Sequence, residues 1–150
     1  MKIGIDIGGT KVDAVAIDDD LSVLAASRTP VRSGPEGITT GALAAVDDLA
    51  QNVASPVESI GIGVPGAIRR GVVHHARNIS IESLDLEAAV AAATGVRVRV
   101  TNDVNAAALG SWTLRGGSSS SFAFLNLGTG MAAGLVLDGQ VWEGARGLAG

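Results

Sequence analysis

Cysteine is absent from the 150 residues, so neither a disulfide nor a thiolate metal site can be built from them. Aromatic residues make up only 3%, and the core must therefore come from Val, Ile, Leu and Ala rather than from stacked rings. Basic residues are few: 11 Lys and Arg stand against 15 Asp and Glu, for a net charge of -4 and a pI near 5.0. No Lys/Arg block offers an electrostatic footprint for a phosphate backbone, which argues against nucleic acid as a partner. No apolar run is long enough to cross a bilayer, and the opening "MKIGIDI" lacks the apolar stretch and small-residue cleavage site of a secretory signal. The expected setting is cytoplasmic, with no membrane partner.

Glycine, by contrast, is abundant at 21 residues, and 47% of the chain is hydrophobic. That composition suits a globular α/β protein with one sizeable core and frequent tight turns. Ile3, Ile5 and Ile7 alternate with Lys2, Gly4 and Asp6, the period of two that gives a strand one apolar face and sends Asp6 the other way. After Gly8-Gly9-Thr10 a second β-like run, "KVDAVAID", leads through Asp18–Asp20 into a third, "LSVLAASRTPV", making a three-stranded meander.

Helix signals follow from Pro35 to about Val53, with Ser33 or Gly34 at entry, Glu36 in the first turn, and Leu43, Val46, Leu49 and Ala50 as the apolar stripe. "VESIGIGVPGAI" reads as a buried strand stopped by Pro65-Gly66, with a short hairpin around Arg69 to Val73. Residues 85–94 predict a second helix closed by Gly95, "VRVRV" a strand by strict alternation, and residues 104–115 a third helix. The Gly/Ser run 116–121 reads as a flexible linker, which places a first domain at 1–115 and the start of a second at 116–150. Past it, Leu127-Gly128-Thr129-Gly130 falls on Ile7-Gly8-Gly9-Thr10, and Gly134 to Asp138 on Ala14 to Asp18, so the strand–turn–strand plan repeats.

Three places could carry chemistry. "GGTK" matches neither GxGxxG nor GxxxxGK[ST], and the strand after it rules out both helix-based phosphate loops. It is either a tight turn that needs glycine for positive φ, or a nest of backbone N–H groups flanked by the Thr10 hydroxyl and the Lys11 ammonium, with Asp6 able to hold Mg²⁺ through water. Asp103, in "VTNDVNAAALG", stands between a strand and a helix; either it or Asn102 caps the helix, or Asp103 faces a crevice as a proton acceptor. Asn78 can hydrogen-bond a polyhydroxyl ligand or cap a loop. His74 and His75 are neighbours that point apart, so they do not share a metal and read as surface residues.

Taken in order, "IGIDIGGTKVDAVAID", "GIGVPGAI", "TNDVNAAALG" and "LNLGTGMAAGLVLDG" resemble the N-terminal half of a ROK-family sugar kinase of the glucokinase-like branch. The resemblance implies a ribonuclease-H-like, actin-like ATPase domain with a mixed sheet, a β-meander and flanking helices, followed by the start of a second such domain. It implies ATP and Mg²⁺ as cofactors and phosphoryl transfer to a hexose or N-acetylhexosamine hydroxyl. By resemblance, Asp6, Gly8, Gly9, Thr10 and Lys11 form the first phosphate motif and Gly128, Thr129 and Gly130 the second. Asp103 matches the catalytic base, and Gly66, Asn78 and Asn102 join it as sugar contacts.

Departures accompany the matches. Arg77 precedes Asn78 where the family commonly has Pro, "ISIESLDL" replaces a Gly-Trp, and Arg69 stands where Asp is common, all of which bear on the choice of sugar. Related kinases continue beyond "EGARGLAG" into Glu and His sugar ligands, a Cys-rich zinc site and adenosine-binding segments; these residues contain no zinc site, and the resemblance implies a partial enzyme. The alternatives are a sugar-responsive ROK regulator, which carries a winged helix before the first phosphate motif, and a catalytically silent sugar-binding module. A homodimer is the assembly to test for.

Overall fold

The computed structural model describes residues 1–127, 131–145, 147 and 149. Strands β1 (Lys2–Ile7), β2 (Lys11–Ile17) and β3 (Val23–Pro30) form the expected antiparallel meander. Its second turn is fixed by Asp18, whose carboxylate accepts the backbone N–H groups of Asp20 and Ser22. Helix α1 (Pro35–Asn52) then returns the chain so that β4 (Ser59–Val64) lies parallel to β1, and α2 (Leu86–Thr94) does the same for β8 (Arg97–Asn102) against β4. The result is a five-stranded mixed sheet ordered β3-β2-β1-β4-β8.

One face of that sheet makes the core. Ile3, Ile5 and Ile7 of β1, Val12 and Ala14 of β2, and Ile60 and Ile62 of β4 are all at most 3% exposed and pack beneath α1. The buried stripe of α1 is Ile38, Ala42, Ala45, Val46 and Leu49, spaced for a single helix face. Leu43 is half-buried and Ala50 exposed, because the stripe that meets the sheet runs through the alanines at 42 and 45. Both helix ends of α2 behave as its sequence requires: Asp85 accepts the Ala88 N–H at 3.1 Å as N-cap, and Gly95 takes φ +71° at the C-cap.

Between β4 and α2 the chain forms a small antiparallel sheet of β5 (Ala67–Arg69), β6 (Val72–Ala76) and β7 (Ile81–Asp85), with a 3₁₀ turn at Arg77–Ile79. The strand β7 escapes a period-two reading because Ile81 and Leu84 are an odd number of residues apart and so cannot share a face. His75 is exposed and lies 2.9 Å from Glu82, whereas His74 is half-buried.

Helix α3 (Asp103–Leu114) leads to a separate sheet of β9 (Ser121–Leu127), β10 (Met131–Leu137) and β11 (Gln140–Val141), ordered β11-β10-β9. The Gly/Ser run between them is tied down rather than a free linker. The Trp112 indole N–H donates to the Ser119 carbonyl at 2.9 Å, Gly117 N–H donates to the Trp112 carbonyl at 3.0 Å, and the Asp138 N–H donates to the Ser120 carbonyl at 2.7 Å. The predicted repeat is present as a second antiparallel hairpin, but its register differs by one. Ile7 pairs with Val12 in the first hairpin, while Leu127 pairs with Met131 in the second.

Candidate active site

The cross-strand register decides what faces away from α1. Gly4 pairs with Val15 and Gly61, Asp6 with Asp13 and Gly63, and Gly63 with Thr101, so the second face of the sheet carries three glycines on its two central strands. Without side chains there, the face opens into a crevice of about 940 Å³, with Asp6, Thr101 and Asp103 at its polar end and Val15, Leu21 and Leu109 along its apolar part. Gly63 also lets α3 come down onto the sheet. A Cβ at that position would lie 3.4 Å from both the Asp103 Cα and the Ala106 Cβ, and 3.8 Å from an Asp6 carboxylate oxygen. Thus Asp6 and Asp103, on different elements, flank one glycine.

Partial burial raises the pKa of Asp6 above the ordinary aspartate value, and the negative charges of Asp103 and Asp13 push it the same way against the Lys11 ammonium. A carboxyl that binds its proton more tightly folded than unfolded loses stability as pH rises from the ordinary carboxylate range through its folded pKa. An Asp6→Asn variant should therefore be more stable than wild type at neutral pH, and the difference should vanish at acid pH. Denaturation midpoints across pH 3 to 7 check this, and a pH-independent difference would refute the electrostatic account.

Asn102 and Asp103 divide the two roles that the sequence left open. Asn102 is the N-cap: its Oδ1 accepts the N–H groups of Val104 at 3.0 Å and Asn105 at 3.3 Å, while its Nδ2 donates to the Gly66 carbonyl at 3.3 Å. Asp103 is the first helical residue, and one of its oxygens accepts the Val104 N–H at 2.9 Å. Gly66 itself sits at φ +106°, and a Cβ there would come within 2.7 Å of the His74 carbonyl oxygen. The Asn102 amide therefore joins the turn after β4 to the start of α3. Replacing it with alanine should cost about 1–2 kcal/mol for the lost cap and bridge, read as a shift in the urea midpoint; a loss below about 0.3 kcal/mol would contradict the capping role.

The opening turn is closed by the Gly8 N–H, which donates to the Lys11 carbonyl at 2.8 Å. Neither Gly8 nor Gly9 adopts positive φ, so conformational freedom is not what these glycines supply. Nor does the chain itself crowd them. A Cβ would meet only the Lys11 carbonyl at 3.4 Å from position 8, and only the Asn78 side-chain nitrogen at 3.8 Å from position 9. Asn78 is exposed and brought against the turn by the 3₁₀ turn at Arg77–Ile79. Thr10 anchors the turn to the end of β3, its carbonyl accepting the Val31 N–H at 3.1 Å. The Lys11 ammonium lies 3.0 Å from Asp13, and the Asp13 carboxyl is held below its usual range by its hydrogen bonds to Arg28 and then Lys11.

Gly128, Thr129 and Gly130 lie outside the described residues. Among those described, Asp6, Gly66, Asn78, Asn102 and Asp103 line up along one edge of the sheet with the Gly8–Lys11 turn. Sequence reasoning missed Gly63, Thr101 and Asp13. A glycine inside a strand was the available signal for Gly63, since it marks a close backbone approach. It also missed Asn105, the buried polar residue among those described, at 5% exposure.

The mixed sheet with its β-meander and flanking helices is the actin-like ATPase fold of the solved ROK kinases that it superposes on. More narrowly, the chain belongs to the ROK family, whose pattern matches residues 2–150. It is 33% identical over 152 residues to the glucokinase of Streptomyces coelicolor, covering 99% of this chain and 47% of that protein. It is 29% identical over 153 residues to the N-acetyl-D-glucosamine kinase of Haemophilus influenzae, covering 100% of this chain and 50% of that one. The solved structure of a ROK family glucokinase from Streptomyces griseus, in complex with glucose and AMPPNP, superposes with a TM-score of 0.88 at 32% identity, over 99% of this chain and 48% of that one. The chain thus spans about half the length of the curated relatives it matches. No helix among the described residues is long and apolar enough to cross a membrane.

Proposed function

We propose that the chain is the N-terminal part of an ATP-dependent, cytoplasmic sugar kinase that phosphorylates a hydroxyl of a hexose or N-acetylhexosamine. The observation that carries this reading is the division of labour at 102 and 103. Asn102 takes the cap, and Asp103, with one carboxylate oxygen on the Val104 N–H, lines the crevice together with Asp6, where a substrate hydroxyl can reach it. Residues 1–115 are taken as the first domain and 116–150 as the start of the second, with α3 packed on both sheets.

In this reading Asp103 orients the attacking hydroxyl and accepts its proton as transfer proceeds in line. Gly66, Asn78 and Asn102 hold the sugar beside it, the amide of Asn102 also fixing the position of α3. The backbone N–H groups of Gly8, Gly9 and Thr10, the Thr10 hydroxyl and the Lys11 ammonium cradle the phosphates of the donor, with Gly128, Thr129 and Gly130 as the opposing turn. Among the described residues no group of three His, Cys, Asp or Glu side chains could hold a metal alone. One or two carboxylates with phosphate oxygens and water suit Mg²⁺, so Asp6, with Asp103 nearby, fits its requirements. When bound, the ion would supply charge neutralisation of the phosphates.

ADP release by the intact protein with glucose, mannose or N-acetylglucosamine tests the reading. Sugar-dependent release with at least one of them is expected. Absence of turnover with all three, alongside calorimetric sugar binding, would instead favour a silent binding module.

A further inference from the structure

Lys11 is one of only two lysines in these residues, and the other, Lys2, is engaged 2.8 Å from Asp19 at the far end of β1. Arg99, the cationic residue lining the crevice, is paired with Glu87 at 3.0 Å. Lys11 belongs to the glycine turn itself, yet its ammonium is not free. Its ammonium rests 3.0 Å from Asp13 Oδ2, while Arg28 Nε bonds the other oxygen, Oδ1. The cross-strand register makes this arrangement: Asp13 pairs with Arg28 on one side and with Asp6 on the other, and Lys11 lies two residues away on the same face.

We propose that Asp13 and Arg28 form a parking site for Lys11, from which an incoming polyphosphate group must draw the ammonium away. Asp13 is a competitor for Lys11 and Arg28 weakens that competition by sharing the carboxylate. The proposal rests on the reading of the Gly8–Lys11 turn as the phosphate cradle. It makes Asp13 a positioning residue, acting on the phosphate through Lys11, and it predicts effects of opposite sign from two members of one ion-pair cluster. A purely structural cluster would not give that, since loss of either partner would disturb the turn in the same direction.

The test is calorimetric titration of the intact protein with sodium tripolyphosphate at low ionic strength. Lys11→Gln should bind more weakly. Asp13→Asn should bind about two- to fivefold more tightly, the scale of an exposed ion pair. Arg28→Ala, which leaves Asp13 with Lys11 as its remaining partner, should bind more weakly, and Asp13→Asn added to Arg28→Ala should restore the gain. If Lys11→Gln changes nothing, the phosphate-cradle reading fails and this inference with it. If Lys11→Gln weakens binding but Asp13→Asn leaves it unchanged or weakens it, the parking inference alone is overturned.

Discussion

Asp103→Asn is expected to keep the fold and to lose about two to four orders of magnitude in the rate of sugar phosphorylation, the usual contribution of a positioned general base. The fold should survive because the helix cap belongs to Asn102, whose Oδ1 accepts both the Val104 and the Asn105 N–H groups, the Asp103 carboxylate sharing only the first. An asparagine oxygen can also replace the hydrogen bond that Asp103 accepts from the Val104 N–H. What the amide cannot do is take a proton from a hydroxyl. The loss should appear in kcat with little change in KM for the sugar, since the side chain remains polar and of similar size. Steady-state kinetics on the intact protein, with a melting curve alongside, decides the matter: undiminished turnover would remove the proposed base, and a melting temperature far below wild type would mean that Asp103 is structural.

Gly66→Ala should be strongly destabilising, costing about 3–5 kcal/mol. Two effects combine there. A side chain at φ +106° is strained by about 1–3 kcal/mol whatever surrounds it, and the new Cβ would press within 2.7 Å of the His74 carbonyl oxygen and 3.0 Å of the Ala76 Cβ. Because the Gly66 carbonyl also holds the Asn102 amide, a shift of this turn reaches the start of α3 and Asp103. Gly95→Ala provides the contrast, since φ there is +71° but nothing lies within 4 Å of the added atom. It should cost only about 1–2 kcal/mol. Chemical denaturation of the two variants separates strain from crowding, and equal losses would contradict the account. Against a typical stability of about 5–15 kcal/mol, the Gly66 loss would also lower the yield of folded protein.

The periodic elements were legible in the sequence for a physical reason: β1, β2, β4 and β8 each bury one face or a continuous run, α1 opens on Pro35 with Glu36 in its first turn, and α2 carries both of its caps. The failures have causes of another kind. Strand β7 puts a buried Ile81 on one face and a half-buried Leu84 on the other and so has no period to read. The 116–121 run looks like a linker because its order comes from distant groups, the Trp112 indole and the Asp138 N–H, rather than from its own residues. Which of Asn102 and Asp103 caps α3 depends on where β8 stops, and two adjacent residues of equal capping ability leave that open. The glycines of the opening turn look like positive-φ residues in any sequence; only their backbone angles reveal that they are not. The ion-pair cluster at Asp13 was invisible because it depends on Arg28, fifteen residues along the chain and one strand over.

The Gly8–Lys11 turn and Asp103 stand at one edge of the sheet, and under the proposed function sugar and phosphate donor meet there. Amide hydrogen exchange of the intact protein, with the sugar that supports turnover and a non-hydrolysable ATP analogue, tests it most directly. Added protection should concentrate at residues 8–11, 64–66, 77–79 and 102–105, greatest with both ligands present. Protection confined to other segments, or none at these four, would contradict the account.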